Sequence, residues 1–580
     1  QQQQQQQQLQ GLMPGDASVD GQHLWLWGRW IHITDVRHAR DCAGEDAYIF
    51  TPHAEALKPG HPSFVDNMVL FHRLWRARVP VIVREARGRI SWTPAVMRRV
   101  TKQYREDRDN DAKKKAQDAA QKRGGGSGEE RGEDMEEDNG GEAGQEEAKL
   151  RKKQDREATL EVLSCSTWQA VQMTEDAFFE HYRENKGVDP KKIGATPARP
   201  NEHIMLKVKD WPPEDDFKRV MVRHNKEFHE SIPLPMYTHT TCAPLNLATL
   251  MPDWTNPTDL GPKTYIAYGQ IEEHEDYECD SVTKLHQDMS DAVNVLVHNQ
   301  LGEDEALTIR HGTQRAGQDP RYGNAGAVWD IWSVPDASLL RGYLQEHAHE
   351  FLHRGQPVSR EELMDSIFDQ KFMVTKRHRI RMAQTQQPPS QQQQAQQQGC
   401  EARPIHPWHF EQYQDEAVFI PAGCPHQVRN LRSCLKVAAD FVPPEAMPQC
   451  LSMAQRLRRC FKEEQAKQLE QLPEGEELAE VPDNSLYHDK LQGELIAVTS
   501  TAQLMALALP ATIPCLPGSP LPQLKHPRPL HNQLMAQLKR AREAVPSDAG
   551  AYTAGGAEEG WQDGAIAGGE VGVEEWQQQR

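Results

Sequence analysis

Three residues of this 580-residue chain have the types and spacing of a metal centre. His286 and Asp288 form an H-x-D triplet. In an extended strand, residues two apart point to the same side, so one imidazole and one carboxylate can reach a common ion. His426 is the candidate third ligand. It follows the apolar run Ala417–Ile420, which reads as a buried strand. Pro421, Gly423 and Pro425 then force a tight turn. Such a turn lets a loop at one end of a barrel drop a second imidazole onto an ion held by a neighbouring strand. Two histidines and one carboxylate make the facial set used for non-haem Fe(II), which leaves positions open for a co-substrate and O2. Each part has a plainer reading. In a chain with 25 histidines, H-x-D can be a surface pair at a strand end, and His426 a histidine in a polar turn.

The elements that must position these residues are legible in outline. The pattern of Phe71 to Trp75 predicts an amphipathic helix, Val79 to Val83 a strand, and Trp92 to Val100 a second helix. Further on, Thr174 to Tyr182 reads as a helix. Met205 to Val208, Tyr265 to Tyr268, Ala292 to His298, Ala327 to Trp332 and Ser433 to Phe441 read as strands. A helix is expected from Ala337 to about Leu352. It carries His349-Glu350-x-x-His353, the H-E-x-x-H spacing of zinc peptidases. The extended histidine continuation is absent and Gly355 and Pro357 follow at once, so an exposed polar helix end is the preferred reading. After Glu445, the residues Leu451, Ala454, Leu457 and Phe461 are spaced to cover one helix face.

Several longer words carry a resemblance. They are WPP at 211–213, IPLP at 232–235, LNLAT at 245–249, GPKTYIAYG at 261–269, SDAVNV at 290–295, PW at 407–408 and the stretch 417–430. In this order they resemble the JmjC-domain histone lysine demethylases, in the plant-like form of the branch acting on histone H3 lysine 9. The resemblance covers residues 64–446 apart from inserts. It implies an all-β core with flanking helices: a double-stranded β-helix, the jelly-roll, cupin-like barrel. It implies Fe(II) held by His286, Asp288 and His426, with 2-oxoglutarate as co-substrate and O2 as oxidant. The reaction would be oxidative N-demethylation, releasing formaldehyde and succinate.

The far carboxylate of 2-oxoglutarate needs a cation or hydroxyl donors inside the barrel. Lys436, ten residues past His426 on the next strand, is the favoured counter-charge; its alternative is to snorkel outward. Tyr265, which matches a family tyrosine, and Thr283 offer hydroxyls, and Asn294 an amide; Tyr265 could equally be core and Asn294 pair with backbone. The basic residue that many JmjC proteins carry in the strand after H-x-D is not evident, since Glu303 lies near that place. The implied partners are the histone H3 tail and chromatin-associated proteins, with no membrane and no clear requirement for nucleic acid; the implied location is the nucleus. The basic runs 113–115 and 151–153 are import-signal candidates, although a charge run is more often a solvated face.

Composition bounds the rest. Hydrophobic residues make up 37% of the chain and aromatics 7%, with mean hydropathy −0.77. One substantial core diluted by disordered segments is expected. The expected division is a low-complexity, loosely structured segment at 1–63, a catalytic domain at 64–446 with disordered inserts at about 105–157 and 384–402, a helical extension at 447–520, and a disordered tail at 521–580. The net charge of −19 argues against a DNA-sheathing surface and favours a cationic peptide. Ten cysteines without a C-x-x-C pair point to neither a zinc finger nor a disulfide scaffold. A start at Gln1 is read as a fragment. The uncharged run from Leu495 to Leu516 reads as a docking helix and loop rather than a membrane span, because Thr499, Ser500, Thr501, Pro510 and Pro514 interrupt it. Competing readings are a JmjC protein hydroxylase, a catalytically inactive chromatin scaffold and, least favoured, a zinc peptidase.

Overall fold

The computed structural model describes residues 16–18, 21–123, 159–165, 167–194, 203–209, 211, 217–251, 258–269, 283–301, 324–353, 356–358, 370–384 and 404–471. Eighteen strands run through these segments. The first nine are β1 (His23–Leu26), β2 (Arg29–His32), β3 (Val36–His38), β4 (Tyr48–Phe50), β5 (Val81–Val83), β6 (Thr159–Ser164), β7 (Ala170–Thr174), β8 (Leu206–Lys209) and β9 (Lys263–Ala267). Then come β10 (Thr283–His286), β11 (Asp291–Asn299), β12 (Ala327–Ile331), β13 (Leu352–His353), β14 (Gln356–Pro357), β15 (Trp408–Gln412), β16 (Ala417–Ile420), β17 (His426–Asn430) and β18 (Cys434–Phe441).

Two sheets build the core. The large one has the order β3-β4-β5-β16-β11-β18-β9-β8-β6-β7, and the small one β10-β17-β12-β15. Every pairing in them is antiparallel except β4 with β5. The sheets share an apolar layer: Ile82, Ala292, Val418 and Ile420 from the large sheet meet Trp329, Ile331, Phe410 and Val428 from the small one. Short turns carry the chain between the sheets after β10, β15, β16 and β17. This is the cupin-like jelly roll, with one correction. The ladder does not close into a barrel among the described residues. Side chains packed between the sheets hold them about 10 Å apart.

Strand alternation decides what faces where. On β18, Leu435, Val437, Ala439 and Phe441 join the outer core, where Phe71, Trp75 and Tyr237 pack. Lys436, Ala438 and Asp440 take the opposite face and look between the sheets. On β11, Val293 and Val295 go outward, whereas Ala292 and Asn294 go inward. The helices Phe64–Arg76 and Glu175–Glu184 supply the outer layer of the large sheet. The helix Glu175–Glu184 is capped by Thr174, whose hydroxyl accepts from the Ala177 N–H.

Three expectations are corrected. The segment before residue 64 is not loosely structured where it is described. β3 and β4 extend the large sheet beyond β5, and Leu26, Trp27, Ile31 and Phe50 enter the core. Strands of three or four residues leave no readable periodicity. The helix Pro94–Arg123 runs deep into the stretch expected to be a disordered insert from 105. Its lysines, arginines, glutamines and alanines are good helix formers even without an apolar face. The helix expected to reach Leu352 ends at Glu346.

The helix Met447–Gln471 begins where a helical extension is expected, and Cys450, Met453, Ala454 and Leu457 are its buried face. The inserts at 124–157 and 385–402, Glu303, the run from Leu495 to Leu516 and the tail at 521–580 lie outside the described residues. Among the described residues, no helix is long and apolar enough to cross a membrane.

Candidate metal centre

His286 ends β10 and His426 begins β17, and the two are direct partners in that antiparallel pair. Their rings stand 4.1 Å apart, centroid to centroid. Asp288 lies just past β10 and spans them. His286 Nε2 is 3.4 Å from Asp288 Oδ1, and His426 Nε2 is 3.5 Å from Asp288 Oδ2. Two donors each about 2.1 Å from one ion, at right angles, stand about 3 Å apart, so the set needs little adjustment to hold one.

The tautomers are fixed by the backbone. His286 Nδ1 lies 2.9 Å from the Lys284 carbonyl, and His426 Nδ1 lies 3.0 Å from the Cys424 carbonyl. A carbonyl only accepts, so each Nδ1 carries the proton and each Nε2 presents its lone pair to the centre. Burial pushes the His426 pKa down to about 4, with His286 adding to the effect, so this imidazole is neutral and free to ligate at neutral pH. Burial works to raise the Asp288 carboxyl, but His286 and then His426 outweigh it and hold it well below the usual carboxylate range. Two imidazoles and one carboxylate are a donor set that fits a divalent transition metal. Among the described residues, this is the one group of three such side chains that converges.

The triad forms part of the wall of a cavity of about 150 Å³ between the sheets, a size that admits a benzene-sized guest. All four residues expected to bind the co-substrate, Tyr265, Thr283, Asn294 and Lys436, line it. Lys436 points inward rather than snorkelling out. It is 4% exposed, its Nζ donates to Asn430 Oδ1 at 2.9 Å, and it lies 5.6 Å from the centre of the Trp329 ring. Burial brings its pKa down to about 8. Asn294 does not spend its side-chain oxygen on backbone: its Oδ1 is buried with no hydrogen-bond partner among the described residues, as is Gln370 Oε1. Both atoms belong to residues of the cavity wall and leave hydrogen-bonding capacity there for a guest. Either amide can turn over to present its NH2 group.

Sequence reasoning missed Lys263, Asp440, Asn430 and Trp329, which also line the cavity. The signal for three of them was the two-residue period: Lys263 precedes Tyr265 by two, Asp440 follows Lys436 by four, and Asn430 follows His426 by four. Lys263 Nζ donates to Asp440 Oδ2 at 2.7 Å. Asp440 sits opposite Ala292 on β11, and Lys436 opposite Leu296. Four residues of strand separate the two positions by about 13 Å. The cavity thus carries the Lys263–Asp440 ion pair at the end nearer the triad and the Lys436 ammonium at the other.

The H-E-x-x-H pattern does not form a site. His349 and Glu350 lie in a single 3-10 turn, Ala348–Glu350, and His353 lies in β13. Two histidines bind one ion in this motif only when they share a helix face. Glu350 instead accepts from Arg381 at 2.6 Å, and His353 Nδ1 lies 3.1 Å from the Lys371 carbonyl.

Residues 351–441 match the family described as JmjC domain, hydroxylase. The match takes in the described strands from β13 to β18. The chain is 38% identical over 290 residues to lysine-specific demethylase JMJ26 of Arabidopsis thaliana, covering 46% of this chain and 31% of that protein. It is 30% identical over 520 residues to lysine-specific demethylase JMJ27 of the same plant, covering 72% of this chain and 52% of that protein. Over 269 residues it is 36% identical to human lysine-specific demethylase 3A, covering 44% of this chain and 18% of that protein. The chain therefore spans at most about half the length of these relatives.

Proposed function

We propose that this chain is an Fe(II)- and 2-oxoglutarate-dependent dioxygenase that demethylates lysine on the tail of histone H3, with lysine 9 as its position, and that it acts in the nucleus on transcription with other chromatin proteins. The observation that carries this reading is the pairing of an open two-histidine, one-carboxylate set with a buried lysine at the other end of the same cavity. The names of the relatives, lysine-specific demethylases, support the substrate class.

His286, Asp288 and His426 would hold the iron. When bound, iron and 2-oxoglutarate supply oxygen activation and the oxidising equivalents for attack on an N-methyl group. The protein's share is binding, orientation and exclusion of water. Lys436 would meet the distal carboxylate of the co-substrate with its charge, assisted by the Tyr265 and Thr283 hydroxyls and the Asn294 amide. Strand pairing supports this grouping, since Tyr265 faces Lys436 across the β9–β18 ladder. Asp440 places a carboxylate at the end where a methylammonium group must approach the iron. Its charge is balanced there by Lys263, so the names of the relatives, rather than the charge of the cavity, favour demethylation over hydroxylation of an uncharged residue.

The test is formaldehyde and succinate release from a dimethyl-lysine 9 H3 peptide. His286→Ala is expected to lower the rate by at least a hundredfold, with His349→Ala at wild-type rate. The reverse outcome, activity lost in the second variant and kept in the first, refutes the assignment.

A further inference from the structure

Gln287 stands between two of the triad residues, and its side chain goes the other way. Alternation along an extended chain turns it from the face that His286 and Asp288 share, and it is 5% exposed. Its Nε2 donates to the Gly423 carbonyl at 2.6 Å. The Gly423 N–H in turn donates to the Asp288 carbonyl at 3.0 Å. The H-x-D segment and the turn before His426 are therefore tied by two bonds. The same turn supplies the Cys424 carbonyl that sets the His426 ring.

The remaining side of Gln287 is taken from far along the chain. Arg456 Nη2 donates to Gln287 Oε1 at 2.7 Å. The helix Met447–Gln471 that carries Arg456 lies directly on the turn. A Cβ added at Gly423 would run into the Gln449 side-chain amide, and Ala422, Val442, Ala446 and Cys450 form one apolar cluster beneath it. The guanidinium is charged, so its bond to the amide is of the stronger kind. It fixes which end of the Gln287 amide faces the turn.

We infer that Gln287 and Arg456 are positioning residues of the metal centre, through which the C-terminal helix sets the geometry of Asp288 and His426. Neither touches the ion or the substrate. Both act on the groups that orient ligands, where a lost partner typically costs 10- to 100-fold in metal affinity. The inference rests on the iron site proposed above and extends it to a helix outside the jelly roll.

The experiment is titration of the whole chain with Co(II) alone, read by its d–d absorption, beside a thermal melt of each variant. Arg456→Met is expected to weaken Co(II) binding about tenfold with little change in melting temperature, and Arg456→Lys to recover part of the loss by restoring a donor. Gln287→Ala is expected to lose as much or more. The double variant should then be no worse than Gln287→Ala alone, because the two act as one unit. Equal Co(II) affinity in wild type and Arg456→Met overturns the inference, as do fully additive losses in the double variant. Failure of the wild type itself to bind Co(II), with 286 and 426 intact, overturns the metal-site reading from which it proceeds.

Discussion

A lysine ammonium buried between two sheets costs the fold stability, and Lys436 makes that cost measurable. Its pKa falls from 10.5 to about 8 because burial disfavours the charge. Below pH 8 the folded chain holds this proton at a penalty that the unfolded chain does not bear. Between pH 8 and 10.5 the folded form has released it and the unfolded form has not. Stability from this group therefore rises with pH across that window, by up to about 3 kcal/mol. Melting temperatures should show a rise from pH 7.5 to 9.5 that Lys436→Met lacks. If the charge is kept for a dicarboxylate, 2-oxoglutarate affinity in the same window should fall as the proton leaves, and the variant should bind it weakly at every pH. At the other end of the cavity Asp440 balances the Lys263 ammonium, and without it that cation would repel a methylammonium group. Asp440→Asn should raise KM for the methylated peptide about tenfold, roughly 1.4 kcal/mol, while leaving KM for 2-oxoglutarate unchanged in the same steady-state assay. His286, Asp288, His426 and Lys436 were legible because their types announce chemistry. Asp440 and Lys263 were not, because a charged residue on a strand reads equally as a solvated face.

At the scale of the element, the strands were read from runs of apolar residues. β11, β16 and β18 appear within a residue or two of their expected limits. The helix from Ala337 was overextended because Glu, His and Gln continue it by propensity alone. Its real end is set by tertiary structure, where Phe351 leaves the helix to pack against Phe372, ring centres 4.8 Å apart. The turn between β16 and β17 was legible through its prolines, and its glycine has a specific duty. Gly423 has φ +80°, where a Cβ costs about 1–2 kcal/mol. The nearby Gln449 amide is the end of a flexible side chain and can swing aside, so backbone strain should dominate. Gly423→Ala is expected to lose about 1–2 kcal/mol in urea unfolding, and Gln449→Ala added to it should recover little. Full recovery would show that crowding, not the left-handed backbone, was the cause.

The molecule as a whole is held by links between sequence-distant parts, and these were the least legible of all. Before residue 64 the tryptophans Trp25, Trp27 and Trp30 suggest packing on the core without saying where, and buried or half-buried ion pairs, two of them to distant strands and helices, bind the segment there. Arg37 Nη2 stands 2.7 Å from Glu416 Oε1, beside the start of β16. Arg40 Nη2 stands 2.6 Å from Asp336 Oδ2, with its guanidinium 4.4 Å from the centre of the Trp408 ring. Asp336 is fully buried; besides Arg40, that same Oδ2 accepts from the Ser333 hydroxyl at 2.6 Å. A hydroxyl cannot replace a guanidinium as the counter-charge. Removing one partner of a buried pair leaves the other desolvated and uncompensated, which costs about 3–5 kcal/mol. Arg40→Met should therefore lower the unfolding free energy measured in urea by about that amount, although Arg40 lines neither the cavity nor the triad. Asp336→Asn added to Arg40→Met should recover much of the loss, since it removes the buried charge while keeping the shape. Deleting residues 16–63 goes further. It strips β4 from β5, exposing an apolar strand edge of Val81, Ile82 and Val83 that invites pairing between chains. A chain beginning at residue 64 should therefore aggregate on expression. Soluble, active protein from it would show that the jelly roll stands without its N-terminal strands.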